Sequence, residues 1–294
     1  RLAWNPEFLR EGFAVSDTLS PDRLVYGVRP GDAAAPAVLD EVYARTLAEG
    51  TPRIVTDFAT AELVKVSANA FLATKISFIN AMAEIAEVTG ADVATLADAI
   101  GADARIGRRF LNAGVGFGGG CLPKDIRAFQ ARAAELGVGH ALAFLDEVDQ
   151  INLRRRQRVV DLVAEHLDGG IAGRTVAVLG LSFKPDSDDV RDSPALDVAG
   201  RLLDAGAVVR ATDPKAVETS RRREPRLDYR SSVDEAVAGA DAVLVLTEWR
   251  AYRDLDPTAL AAATGARLVI DGRNCLDPAA WRAAGWTYVG LGRP

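Results

Sequence analysis

RTVAVLGLSFKPDSDDVRDSPALDVAGRLLDAGAVVRATDP, residues 174–214, decides the fold. The apolar run TVAVL ends at Gly180, a turn-rich stretch follows, and SPALDVAGRLLDAG reads as a helix entered through Ser193 and Pro194. VVRATDP is then a second apolar run. Three more follow: DAVLVLT (241–247), RLVIDG (267–272) and TYVGL (287–291), with helical segments such as PTALAAAT between them. Short, near-continuous apolar strands separated by helices predict a parallel sheet covered on both faces, a Rossmann-like α/β domain over 173–294. Ligands of such sheets lie outside the carboxyl ends of the strands, and these ends carry LSFKP, DPK, TEW and DGRN.

Upstream the pattern changes. Residues 53–89 contain no Gly or Pro, which predicts a long helix over 58–89 with Asp57 or Thr60 as N-cap and Gly90 as stop. DVATLADAIG is a short helix, GVGFGGGCLPKD a glycine-rich loop, and IRAFQARAAELG a helix opened by Pro123. A second uninterrupted stretch between Gly139 and Gly169 would run roughly 40 Å as a helix. Its basic cluster Arg154–Arg156 reads as a solvated face. Residues 58–168 are thus expected to form an all-helical middle domain with a subunit interface. Residues 1–57 alternate strand and helix signals: LAW, DRLVYGV and PRIVTD as strands, APAVLDEVYARTL as a helix. That is βαβ material too short for a complete doubly wound domain. A chain opening at Arg1 inside strand-like sequence is expected to be a piece of a longer one.

Composition narrows the function. The chain has 294 residues, 49% hydrophobic and 26% charged, an ordinary globular make-up for about two domains. Forty-one acids against 35 bases leave a net charge of −6, which argues against nucleic acid or an anionic membrane surface as partner. No apolar run approaches the ~18 residues of a membrane span. Two cysteines make no disulfide framework, so a reducing cytoplasm is the expected compartment.

Chemistry concentrates around Cys121. It follows five glycines in Gly114–Gly120 and precedes a proline-opened helix, whose partial positive charge favours the thiolate, with Lys124 as a second cation. The glycines would let backbone N–H groups approach a ligand, and Asp125 lies one turn on, where a carboxylate could steer a water. Lys65 and Asn69 are spaced i, i+4, so they share a helix face: either a snorkelling lysine, or an ammonium and an amide aimed at a developing oxyanion. Glu7 and Glu11 share the same spacing and, taken alone, read as surface acids. Lys184 and Arg273 sit at strand ends, as anion ligands or solvent-facing bases. His140, His166 and Cys275 read as structural or surface residues, and no metal constellation is present.

NPEFLREG (5–12), ELVKVSANAFLATKISFIN (62–80), FLNAGVGFGGGCLPKD (110–125), LGLSFKPDSDDVRDSP (179–194), TEWRAYRDLD (247–256) and DGRN (271–274) together resemble the UDP-glucose/GDP-mannose dehydrogenases, most closely the branch acting on UDP-glucose. The resemblance covers essentially the whole chain in order. It implies an N-terminal NAD-binding Rossmann domain, of which residues 1–57 would be the tail without its G-x-G-x-x-G unit. A helical dimerisation domain (58–168) and a C-terminal domain binding the UDP-sugar (173–294) would follow. It implies NAD-dependent four-electron oxidation of UDP-glucose to UDP-glucuronate through a cysteine thiohemiacetal and thioester, with Cys121 the nucleophile. Lys65 and Asn69 would stabilise oxygen charge, and Asp125 and Glu7 would handle water and proton. Glu11, Lys124 and Arg191 would lie near NAD; Phe8, Leu9, Asn112, Phe117, Gly118, Phe183, Lys184 and Arg273 would contact the sugar nucleotide. Arg105 would reach into a neighbouring subunit of a homodimer or higher homo-oligomer. Gly120 departs from the family, where many relatives have Ser. GDP-mannose or a UDP-N-acetylhexosamine as substrate stays open, as does a non-catalytic module that binds sugar nucleotide and dimerises.

Overall fold

The computed structural model describes residues 1–168 and 170–294. They form two compact units, 1–71 and 72–294. In the first, strands β1 (Leu24–Gly27) and β2 (Arg53–Thr56) pair in parallel, with helix α1 (Ala14–Leu19) before them and α2 (Ala34–Val42) and α3 (Ala44–Ala48) between them. Tyr26 on β1 is buried with Leu24, Val28 and Ala35, and its ring stacks 6.3 Å from Tyr43. Burial pushes its hydroxyl up to about 12. The LAW segment is not a strand. It supplies one antiparallel bridge, Trp4 N to Gly27 O at 2.8 Å and Gly27 N to Trp4 O at 2.7 Å, and Pro6, which has no N–H to donate, follows two residues later.

Helix α4 (Phe58–Thr89) has 32 residues, roughly 48 Å at 1.5 Å per residue. Asp57 caps it, accepting from Thr60 N at 2.8 Å and Thr60 Oγ1 at 3.0 Å, and it stops at Gly90, whose φ of 76° favours glycine. In the second unit α5 (Val93–Gly101), α6 (Leu122–Glu135) and α7 (Phe144–His166) continue the helical region. The last helix starts later than its sequence suggests. Gly139–Leu142 winds as a tighter 3₁₀ turn, which brings Gly139 against Ala134, where a Cβ would lie 3.3 Å from Ala134 Cα. The expected end at Gly169 lies outside the described residues.

The solvated-face reading of Arg154–Arg156 is wrong. Arg155 and Arg156 are 0% and 3% exposed, because α7 is covered where they project. Arg155 Nη2 donates to Glu87 Oε1 at 2.7 Å and Arg158 Nε to Glu87 Oε2 at 2.8 Å, so one carboxylate of α4 serves two arginines. Only Arg154, half-exposed between Glu84 and Glu147, fits the expectation.

The remainder is one parallel sheet of six strands: β3 (Thr175–Leu179), β4 (Val208–Thr212), β5 (Asp228–Tyr229), β6 (Ala242–Val245), β7 (Leu268–Asp271) and β8 (Thr287–Gly290), in the order β5-β4-β3-β6-β7-β8. Five were legible. The two-residue β5 is too short and polar to register. Alternate residues separate cleanly onto two faces. Val176, Val178, Leu244 and Ile270 pack with Val159 and Val163 of α7 and with Val198 and Leu202 of α8 (Pro194–Asp204). Ala177, Leu179, Val243 and Val269 pack with Trp249, Tyr252, Leu260 and Trp281 on the other side. The chain reverses winding direction between β3 and β6, and in such sheets that point opens a crevice at the carboxyl ends. Buried Asp213 knits this crest, accepting from Leu181 N (2.8 Å), Ser182 N (3.1 Å), Trp249 Nε1 (3.1 Å) and Ala216 N (2.8 Å).

Candidate active site

Three loops meet at the crest: Leu181–Ser193 after β3, Thr247–Trp249 after β6, and Gly272–Arg273 after β7. The glycine loop 114–120 lies directly against them, which explains its composition more fully than ligand approach does. A Cβ on Gly114 would stand 2.7 Å from Gly272 O, and one on Gly119, at φ 84°, 2.8 Å from the Phe183 ring. Gly118 rests on Asp192 O. Two of the loop's N–H groups are committed here: Val115 N donates to Gly272 O at 2.7 Å and Gly119 N to Arg191 O at 2.8 Å. Arg273 is no solvent-facing base. Its Nε, Nη1 and Nη2 donate to Leu246 O (2.9 Å), Gly116 O (2.8 Å) and Phe183 O (3.2 Å), and Nε lies 3.3 Å from Glu248. That uses three of the five N–H donors of an arginine and leaves two for an anion. Lys184 Nζ sits 5.2 Å from the Phe183 ring centroid.

Three residues that build this site were missed. Asn152 of α7 holds Phe117 like a rung of sheet, accepting from its N at 2.7 Å and donating to its O at 3.0 Å. Asn80 of α4 accepts from Gly114 N at 2.9 Å. Arg156 donates to Phe117 O at 3.3 Å. For the two asparagines the available signal was an amide flanked by apolar residues, Ile79 and Ala81 around Asn80, Ile151 and Leu153 around Asn152, where a buried polar group must find a partner.

Cys121 occupies the N-cap of α6, exposed and with no side-chain capping bond; its carbonyl accepts from Asp125 N at 2.9 Å. Pro123 stands in the first turn, and Lys124 Nζ lies 3.2 Å from Asp125 Oδ1. The preceding Gly120 lies under the Arg191 guanidinium, which pairs with Asp189 at 2.6 Å. A serine at 120 would therefore press on the mobile end of an arginine, a cheap adjustment. Cys275 is a different case: burial, with Asp271 at 3.6 Å, pushes its thiol well up. His140 and His166 are exposed. Among the described residues no cluster of His, Cys, Asp and Glu could hold a metal ion, and no helix is long and apolar enough to cross a membrane.

Arg105 and Asn112 hydrogen-bond elsewhere. The Arg105 guanidinium is exposed and pairs with Asp103 at 2.5 Å, on a loop that Lys75 Nζ anchors through Ile106 O and Gly107 O, both at 3.0 Å. Asn112 Oδ1 accepts from Arg108 at 2.8 Å.

Within residues 1–71, Glu7, Phe8 and Lys65 come together across 58 positions. Lys65 Nζ donates to Glu7 O at 2.6 Å and lies 3.0 Å from Glu7 Oε1, while Leu9 N donates to Glu7 Oε2 at 2.6 Å. The Phe8 ring has the Arg23 guanidinium 3.8 Å and Lys65 Nζ 5.6 Å from its centroid. Asn5 anchors this segment, donating to Val25 O at 2.9 Å and accepting from Tyr43 OH at 2.8 Å. Asn69 follows one turn after Lys65 on α4, and Glu11 lies in the turn before α1. A dinucleotide's pyrophosphate needs open N–H groups at a helix start. The two longer helices beginning in this unit, α2 and α4, are closed by their own aspartates. Asp32 accepts from Ala35 N and Ala34 N, both at 3.1 Å, and the Ala35 bond foremost holds its carboxyl below the usual range; Asp57 closes α4. These residues do not fit a pyrophosphate.

Comparison with known proteins bears on all three regions. Models of the UDP-glucose/GDP-mannose dehydrogenase family match residues 1–47 (NAD binding domain), 59–154 (central domain) and 177–278 (UDP binding domain). The UDP-glucose 6-dehydrogenase TuaD of Bacillus subtilis is 42% identical over 291 residues, 99% of this chain and 61% of its own. The UDP-glucose 6-dehydrogenase of Rickettsia prowazekii is 40% identical over 295 residues, 99% of this chain and 67% of its own. A UDP-glucose dehydrogenase structure from Pyrobaculum islandicum superposes with a TM-score of 0.87 at 38% identity, covering 99% of this chain and 63% of that one. The chain thus spans roughly two thirds or less of the length of these relatives.

Proposed function

The chain belongs to the UDP-glucose/GDP-mannose dehydrogenase family, and from that premise we propose that it supplies the nucleophile and the sugar-nucleotide pocket of an NAD-dependent oxidation of UDP-glucose to UDP-glucuronate. The observation that carries this reading is the exposed Cys121 at the start of α6, directly after a glycine loop stitched to the crest of a parallel sheet. Phe183, Lys184 and the two uncommitted donors of Arg273 suit a nucleoside diphosphate at the crest, with Phe117 and Gly118 toward the sugar. The Cys121 sulfur would add to the C6 aldehyde, keeping a reactive carbonyl bound, and water would later release the acid from the thioester. Asp125, one turn along α6, suits the water. In the first unit Lys65 and Glu7 hold a donor and an acceptor 3.0 Å apart, which suits the proton and oxyanion roles the family gives them, with Asn69 beside Lys65. The hydrides would pass to NAD; Lys124 and Arg191 in the second unit, and separately Glu11 in the first, are the positions at which the family resemblance expects NAD contacts. The test is NADH formation by the full-length protein against UDP- and GDP-sugars. UDP-glucose should exceed every other sugar at least ~10-fold in kcat/KM, a difference of about 1.4 kcal/mol; a preference for GDP-mannose or a UDP-N-acetylhexosamine would overturn the assignment.

We further propose a homodimer in the reducing cytoplasm, where the unpaired Cys121 and Cys275 would persist. Phe71, Phe78 and Ile85 recur every seven residues along α4, 49% to 66% exposed, and Val88 extends the stripe. Seven residues return to nearly the same helix face, so this is one long apolar stripe suited to a second copy. Arg105, exposed on its anchored loop, would reach a neighbour by exchanging its bond to Asp103 for one to the second copy. Light scattering at micromolar concentration should return twice the 31.2 kDa chain mass. A 31.2 kDa particle would rule the dimer out.

A further inference from the structure

We propose that Arg156 is a positioning residue for the sugar-nucleotide pocket, setting the gap between the glycine loop and the Leu181–Ser193 loop; this rests on the reading that the crest takes UDP-glucose. Its side chain is only 4% exposed, and a single nitrogen, Nη2, reaches both loops: Phe117 O at 3.3 Å and Asp192 Oδ1 at 2.8 Å. Nη1 donates to Asp197 Oδ2 at 3.1 Å, which fixes the guanidinium against α8. Asn152, one turn earlier on α7, holds the same Phe117 through N and O. Two side chains on one face of α7 therefore define where the glycine loop stands.

Asp192 is the other half of the device. It adopts φ 46°, a left-handed conformation that a non-glycine residue keeps only where its surroundings over-determine it. Arg156 holds one carboxylate oxygen, and Arg127 of α6, itself fixed by Asp149 at 2.9 Å, holds the other at 3.3 Å. The Asp192 carbonyl is the surface on which Gly118 rests, and the neighbouring Arg191 O accepts from Gly119 N at 2.8 Å. A shift of Asp192 therefore moves the loop that faces the sugar end, while Asp213 and Arg273 keep the nucleotide end in place.

A planar guanidinium serves divergent acceptors at once, whereas an ammonium is a point donor, so Arg156→Lys keeps the charge and loses the geometry. Asp192→Asn removes the charge and keeps a residue that tolerates positive φ, so it remains informative if the lysine variant folds poorly. Calorimetry of this 294-residue chain with UDP and with UDP-glucose, alongside circular dichroism, provides the test. Both variants should fold, weaken UDP-glucose about 10-fold and weaken UDP less than about 3-fold, as expected when a charged hydrogen bond acts on one end of the ligand. A merely structural role would lower stability without splitting the two ligands. Equal weakening of both, or unchanged UDP-glucose binding in a folded variant, would overturn the proposal. Wild-type chain that binds neither ligand would remove the pocket reading and this proposal with it.

Discussion

Cys121→Ser in the full-length protein should abolish steady-state formation of the uronic acid, by on the order of 10³-fold or more, while UDP-glucose still binds. A serine hydroxyl near neutral pH is a far poorer nucleophile than a thiolate. The change should be nearly silent structurally, because the thiol is exposed and makes no capping bond for α6. Unchanged unfolding together with lost acid formation is the expected pair of results. Acid formed at the wild-type rate would sink the covalent mechanism. Cys275→Ser is the internal control: that thiol is half-buried beside Asp271, and its replacement should affect stability more than turnover.

The second large effect concerns ligand choice by this chain alone. UDP-glucose should bind measurably, because the crest loops, the glycine loop and Arg273 belong to one compact unit. NAD should bind at least ~100-fold more weakly than UDP-glucose, about 2.7 kcal/mol, because the starts of α2 and α4, the two longer helices beginning in residues 1–71, are already capped by Asp32 and Asp57. No NADH should form from UDP-glucose. Calorimetry with each ligand decides it: tight NAD binding, or NADH production by the 294-residue chain, would reverse the conclusion.

The sheet was legible because its strands are buried on both sides, so each appears as an unbroken apolar run between helices. Long helices were legible for the opposite reason, the absence of any breaker between Arg53 and Thr89. What escaped was polar and non-local. Arg155 and Arg156 carry the composition of a solvated face, and only the arrival of α4, α8 and the Asp192 loop from distant sequence converts them into buried ties. Asn80 and Asn152 escaped for the same reason, since their partners lie 34 and 35 positions away. The chemical residues were easier. Cys121 sits among signals that are all local, a glycine run, a proline and a lysine–aspartate pair, whereas the meeting of Lys65 with Glu7 could not be read from spacing.

Helix α7 belongs by sequence to the helical middle region, yet Val159 and Val163 cover one face of the final sheet together with α8. The unit that evolution could shuffle between proteins is therefore not the sheet with its own crossover helices. A recombination breakpoint near residue 170 would transplant a sheet without the α7 residues Val159 and Val163 that pack on one of its faces. A viable breakpoint must fall before Phe144, and it then carries Asn152 and Arg156 along with the strands. Inheritance of the binding sheet is tied in this way to inheritance of the groups that hold its glycine loop, and the two cannot drift apart as independent modules.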